Sequence, residues 1–401
     1  MPDVPDDPAT APLLAGLTVV ELASVLAGPL VGQFLAELGA DVLKIEHPGT
    51  GDVTRSWKGP TEDPFMDTSA YFAAANWGKS SRLLDLTSPA GQAELLDLTA
   101  RADIVLASYK PGDAPRLGAD YVTLSRHNPR LIYAHLTGYG THTDRAGYDA
   151  VLQAETGFMY LNAAVDEAGR IGPPQKMPVA LVDVLASHQL KEGILTALYR
   201  RALTGQGALI EVSLVQSALA SLANQATSWL VAGANPQPLG SEHPSIVPYG
   251  TILTAADGQQ LVLAVGSDRQ FALLMDVLNH PDIAHDERFQ TNPARVRHRK
   301  ELNAILRSLV SRLNGTDLLT RLHQRHVPAG AVLDVAQALA SPHAEPLLLR
   351  DPASSQARPG GVRTAVFQLD GQLPAQPLSP PPSSPGGAQP ITGNQQPDAN
   401  N

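Results

Sequence analysis

Through the first half of the chain, short β-rich runs alternate with stretches of helical spacing. Leu17–Leu22 (LTVVEL) reads as a strand, Leu30–Leu38 as a helix stopped by Gly39, and Asp41–Glu46 (DVLKIE) as the returning strand. Pro29 suits a first helical turn, where its missing N–H costs nothing. A crossover of this length joins parallel strands, because antiparallel neighbours need only a tight turn. The unit recurs: Leu83–Leu86, a helix opened by Ser88 and Pro89 that runs to Arg101, then Asp103–Ser108 (DIVLAS). A helical stretch at Tyr121–His127 leads into a strand at Leu131–Leu136. This alternation predicts a doubly wound, Rossmann-like α/β domain with a parallel sheet, over residues 13–225.

Within that span Val179–Arg201 reads as a long helix, with Leu190, Ile194 and Leu198 recurring every fourth residue. Thr204–Gly207 (TGQG) stops it, Ala208–Leu214 is a strand, and Val215–Leu230 is helical again. Residues 226–328 carry shorter strands and charged helices, such as Gln260–Val265 and Arg297–Leu313, and predict a smaller α+β domain. Residues 329–370 read as a return segment to the large domain. Both ends, 1–12 and 371–401, are proline-rich and nearly without large apolar side chains, which predicts disorder.

Composition narrows the function. A chain of 401 residues is too long for one small core. It has no cysteine, hence no thiolate nucleophile and no disulfide. Its formal net charge of −10 disfavours a nucleic-acid partner, and an anionic ligand would need cations gathered locally. The 12 histidines show no metal-ligand spacing, so no metal is expected; His323 and His326 read as a solvated helix face. No apolar run reaches the roughly 18 residues of a membrane span. The first residues, MPDVPDDPATAP, are unlike a signal peptide, so a cytoplasmic protein is expected. The first loop, Ala27-Gly28-Pro29, lacks the G-x-G-x-x-G spacing of a dinucleotide site. Nor is there a P-loop, an H-E-x-x-H or a G-x-S-x-G motif. Taken singly, the motifs say only that this is an α/β protein of enzyme-like composition.

Five segments taken together say more. They are ELASVLAGPLVGQFLAELGADVLKIEHPGTGDVTR (21–55), NWGKSSRLLDL (76–86), YKPGDAPRLG (109–118), GYDAVLQAETG (147–157) and LVDVLASHQLKEGILTALYRRALTGQG (181–207). In this order and spacing they resemble the family III CoA-transferases, the CaiB/BaiF type. That family includes formyl-CoA and carnitine CoA-transferases and the related α-methylacyl-CoA racemases. The segments DERFQTNPARVRHRKEL and HVPAGAVLDVAQAL fit as well, so the resemblance spans roughly residues 13–370.

The resemblance implies a fold, a reaction and a set of residues. The fold is a large CoA-binding domain with a smaller one, in interlocked homodimers that form the site at the interface. The reaction moves CoA between an acyl-CoA and a free carboxylic acid, with coenzyme A as substrate and no permanently bound cofactor. The implied nucleophile is Asp183, where a carboxylate would attack the thioester and carry first the acyl group and then CoA. By itself, an aspartate at a helix start is also the ordinary N-cap residue. Asp149 is implied as an auxiliary carboxylate, and Tyr148 as a wall or hydrogen-bond donor. Racemases of the family carry histidine at the position of Tyr148. Tyrosine, with a reference pKa of about 10 against about 6.5 for histidine, is a poor proton shuttle near neutrality, which favours transfer over racemisation.

For CoA the resemblance implies His47, Asn76, Lys79, Arg116 and Arg145, with Tyr109 and Lys110 beside the adenine or ribose. Leu26 and Ala27 would line the thioester end. The formyl-CoA enzymes have glutamine at the position of Leu26, so an apolar residue there suggests a larger or less polar acyl group. Two departures stand out. The family continues past the R-P-G-G segment with a G-E-H-T motif and a closing helical stretch, whereas here Leu373 is followed by PAQPLSPPP. A glycine-rich lid seen in some transferases is not visible either, and Ser241–Gly250 occupies its region. A non-catalytic CoA-binding paralogue therefore stays open as an alternative beside a racemase.

Overall fold

Continuous apolar runs such as Ile104–Ala107 (IVLA) suit strands covered on both faces, and they lie at the centre of the sheet. The computed structural model describes residues 12–166, 168–353, 358–373 and 376–383. One compact unit contains the described residues up to Thr156, Met177–Ala232 and those from Pro346 onward. The other contains Gly157–Lys176 and Gly233–Glu345.

The first unit holds a six-stranded sheet in the order β3-β2-β1-β4-β5-β6, with every neighbouring pair parallel. The strands are β1 (Thr18–Leu22), β2 (Asp41–Glu46), β3 (Lys79–Leu83), β4 (Ile104–Ala107), β5 (Ile132–Thr137) and β6 (Ala208–Ser213). This is the Rossmann order, and the predicted α/β class holds. Helix α1 (Ala27–Glu37) crosses from β1 to β2 and is buried along almost its whole length. Gly28 and Gly32 allow this: a Cβ at Gly28 would strike Ala23, and one at Gly32 would strike the Glu21 carboxylate. Helix α2 (Pro89–Thr99) starts as expected, with Ser88 accepting from the Gly91 N–H and proline in its first turn.

The predicted strand at Leu83–Leu86 is displaced toward the N-terminus. Pairing with β2 begins at Lys79, and the strand alternates buried and open positions, as an edge strand does. The helical stretch Val215–Leu230 is two helices, Leu214–Ser221 and Ala223–Ala232, the second opening on Ala223 at φ +46°.

The return segment docks on α1. The buried Glu37 carboxylate accepts the backbone N–H groups of Thr364 and Ala365 at 2.7 to 3.0 Å. Gly360 and Gly361 leave room for the Trp77 ring, whose Nε1–H donates to Gly360 O at 3.3 Å. Within the segment expected to be a disordered tail, residues 376–383 are described and lie against the large unit. Gln376 N–H donates to Glu37 O and Gly78 N–H to Ser379 O, each at 2.9 Å. Leu378 is buried in the space that Gly78 leaves by having no side chain. Arg363 and Arg55 donate to Gln376 O and Pro382 O at 2.9 and 3.0 Å, so one apolar anchor, backbone bonds and two guanidinium groups hold this polar, proline-rich segment. The rest of that predicted tail, and the predicted disordered start over 1–11, lie outside the described residues.

The second unit is α+β. Its sheet has the order β7 (Tyr249–Thr254), β8 (Gln260–Ala264), β9 (Ala329–Ala331), all antiparallel. Phe271, Leu274, Leu302, Leu306, Leu318 and Leu322 from its helices close a core on that sheet. Residues 157–176 join this unit, and Val165 there packs by Gly240.

Candidate active site

The strand order places the site. From β1 the chain moves outward to β2 and β3, then returns to β4 on the other side of β1. The loops after β1 and β4 therefore turn away from each other and leave a crevice at the carboxyl ends of the strands. Two clefts of the first unit meet there, sharing Ser24 and Tyr109.

The first cleft, of about 210 Å³, gathers eight of the twelve residues implied by resemblance. The loops after β1 and β4 supply Leu26, Ala27, Tyr109 and Lys110. Arg145, Tyr148, Asp149 and Asp183 come from beyond β5. Val25, also in the lining, sits at φ +72°, a backbone conformation that a β-branched residue adopts only where its surroundings enforce it. No side chain caps the start of α1 at Leu26, which leaves its N-terminal dipole facing the cleft.

Asp183 stands in the first turn of helix α4 (Leu181–Thr204), whose N-cap position is Ala180. It is therefore not the cap. That job falls to Asp149, at the start of helix α3 (Asp149–Glu155), which accepts the Val182 N–H at 2.9 Å. Burial, and then the negative charge of Asp149, push the Asp183 carboxyl up to about 7. Among the described residues Asp183 has no ion pair. Its carboxylate is thus poorly solvated and unneutralised, which is the state of a reactive nucleophile.

Tyr148, 64 % exposed, forms the outer wall. The loop before it is pinched by Gly138 and Gly147, whose backbones lie so close that a Cβ on either would collide with the other. Arg145, on that loop, stacks over Tyr139 at 4.5 Å and pairs with Glu155. Tyr71, on the short helix Ala70–Ala73, is a residue that sequence reasoning does not single out. Burial, followed by the charges of Asp183, Asp149 and Asp52, raises its phenol pKa, so it lies within electrostatic reach of the site. A lone aromatic outside the motif positions gave no signal for this.

The second cleft, of about 230 Å³, holds His47 and is floored by Leu22, Leu84 and Leu86. Burial pushes the Tyr109 phenol up to about 12, so it remains a neutral donor between the two clefts. Arg116 lines neither cleft. It lies exposed beside Leu117, which does, and pairs with Asp113 at 3.0 Å.

Lys79 and Asn76, implied for CoA, line neither cleft. Both are buried away from the clefts. Lys79 Nζ donates to both Glu21 oxygens at 2.7 and 3.0 Å, to Pro29 O and to Asn76 Oδ1, each of the last two at 2.9 Å. Glu21 is shared with Lys44, which also pairs with Asp52 at 2.9 Å. Burial outweighs Glu21 and brings Lys79 down to about 8. The pair fixes α1 against β1 and β3, behind the cleft rather than in it.

Known proteins resemble this chain over most of its length. The sequence model described as CoA-transferase family III matches residues 14–385. A succinate–glutarate CoA-transferase of Agrobacterium fabrum is 39 % identical, over 94 % of each chain. An acetyl-CoA:oxalate CoA-transferase of Acetobacter aceti is 36 % identical, over 80 % of this chain and 81 % of the relative. The crystal structure of a CaiB/BaiF family protein from Brucella suis superposes with a TM-score of 0.79 at 39 % identity, over 92 % of this chain and 95 % of that one. The chain belongs to the family III CoA-transferases and is an enzyme that transfers CoA.

Proposed function

We propose that this enzyme transfers CoA between short dicarboxylic acids by covalent catalysis on Asp183. The observation that carries the mechanism is the Asp183 carboxylate: half-buried, without an ion pair among the described residues, and lining the cleft that joins the cleft of His47 at Ser24 and Tyr109. CoA would place its nucleotide in the cleft of His47 and its thioester in that of Asp183, with Tyr109 between. The Asp183 carboxylate attacks the thioester carbonyl and CoA leaves as thiolate, giving a mixed anhydride. The thiolate attacks the aspartyl carbonyl and releases the donor acid. The acceptor carboxylate then attacks the aspartyl thioester, expelling thiolate and forming a second anhydride. Attack of that thiolate on the acceptor's acyl carbon gives the new acyl-CoA and restores Asp183. The exposed dipole of α1 faces the oxyanion of each addition.

The substrate class rests on the relatives named for succinate, glutarate and oxalate, and on Arg145 at the rim as a partner for a distal carboxylate. A homodimer accompanies this reading. The test is incubation with succinyl-CoA followed by hydroxylamine, or by borohydride, and mass spectrometry of the peptide holding Asp183. A hydroxamate or reduced adduct there is expected. No adduct across a panel of acyl-CoA esters would sink the proposal. Deuterium entering the α-carbon without CoA exchange would favour a racemase instead.

A further inference from the structure

We propose that Gln153 is a positioning residue for the transfer, because its buried side-chain amide ties the Asp149 carboxylate to the segment that delivers Asp183. The inference rests on Asp183 being the nucleophile. Gln153 lies one turn after Asp149 on α3, so the two side chains share a face. It is 0 % exposed. Its Nε2 donates to Asp149 Oδ2 at 2.8 Å, with Val179 O and Met177 O at 3.3 and 3.4 Å sharing the second hydrogen. Its Oε1 accepts the Met177 N–H at 2.8 Å. The other Asp149 oxygen accepts the Val182 N–H at 2.9 Å.

These bonds form one bracket. Gln153 grips Met177 and Val179 just before α4, and Asp149 grips Val182 in its first turn, immediately before Asp183. The start of α4 has no cap of its own, since Ala180 offers no side-chain acceptor. The clamp on α3 therefore sets where α4 begins and which way the Asp183 carboxylate points. It also holds the two carboxylates close despite their like charge. None of these bonds reaches the loops after β1 and β4, so a loosened clamp would disturb the reacting geometry and spare CoA binding. A displacement of about 1 Å in a reacting group costs on the order of 100-fold in rate.

The test compares wild type with Gln153→Met, which keeps the volume and loses every bond that Gln153 makes. Expected are a kcat lower by about 100-fold, a KM for acyl-CoA within about threefold, and an acid limb of kcat/KM moved to lower pH as the carboxylates separate. A folded Gln153→Met with wild-type kcat and an unmoved acid limb overturns the proposal. So does a loss confined to KM. If the variant does not fold, hydrogen exchange of the wild-type Met177 and Val182 amides decides. Protection supports the clamp, and exchange at the rate of a free loop overturns it. The Asp183 adduct is measured first in wild type. Its absence removes the nucleophile assignment, while the exchange result still reports on the clamp.

Discussion

At the scale of single residues, the site depends on a carboxylate kept from its usual company. Asp183 sits at about 7 because burial and then Asp149 disfavour its charge. In the proposed mechanism the ionised form is the nucleophile, so kcat/KM should fall as pH drops through about 7. Asp149→Asn removes the like charge but retains an oxygen for the Val182 N–H. Its acid limb is expected at lower pH than wild type, measured by initial rates from pH 5 to 9; an unmoved limb would show that Asp149 does not bear on Asp183. Lys79 belongs to the same scale. Removing one member of a buried ion-pair network leaves its partner's charge stranded, at about 3–5 kcal/mol. Lys79→Ala is expected to lower Tm markedly and leave the KM for acyl-CoA nearly unchanged. The reverse pattern, a raised KM at wild-type Tm, would return Lys79 to the CoA site. Its sequence context hid this role, since a lysine before a β-run looks the same whether it meets a phosphate or a buried glutamate 58 positions away.

At the scale of elements, legibility followed burial. The β1-α1-β2 unit could be read directly because its strands are rich in Val, Leu and Ile and its helix is punctuated by Pro29 and Gly39. The edge strand β3 could not, because half its positions face outward and carry Ser80 and Arg82. The eight cleft residues were legible only through resemblance. No local pattern says that Asp149, on a helix seven residues long, caps a helix that starts 32 residues later. The C-terminal strap was not legible because composition averages over one decisive residue. Leu378, 5 % exposed, fills the space over Gly78. Fully burying a leucine is worth about 1.5–3 kcal/mol, and a buried carboxylate there would have no partner. Leu378→Asp should lower Tm and raise proteolysis at the C-terminal side of Gln376. Unchanged melting would mean that the strap contributes nothing to the fold.

At the scale of the molecule, the helix Ala223–Ala232 has no buried residue. A helix of ten residues is marginal in water, and its stability normally comes from packing an apolar face. Trp229, Leu230 and Val231 are 54 %, 79 % and 82 % exposed. On α4, Tyr199 and Leu203 are exposed to 69 % and 70 %. Scattered apolar side chains on a surface need no explanation, but three consecutive large ones on an otherwise unsupported helix do. A second copy of the chain is the occupant that fits the homodimer proposed for this enzyme. Periodicity alone could not imply interlocking, because a chain that threads its own copy shows the same periodicities as one that stands alone; the expectation came from the resemblance. Light scattering is expected to report a particle of twice the chain mass. The double variant Leu230→Asp, Val231→Asp should shift it toward the single-chain mass, with loss of hydrogen-exchange protection across residues 223–232. A wild-type particle of single-chain mass with that helix fully protected would show that the helix stands without a second copy, and the homodimer would fall with it.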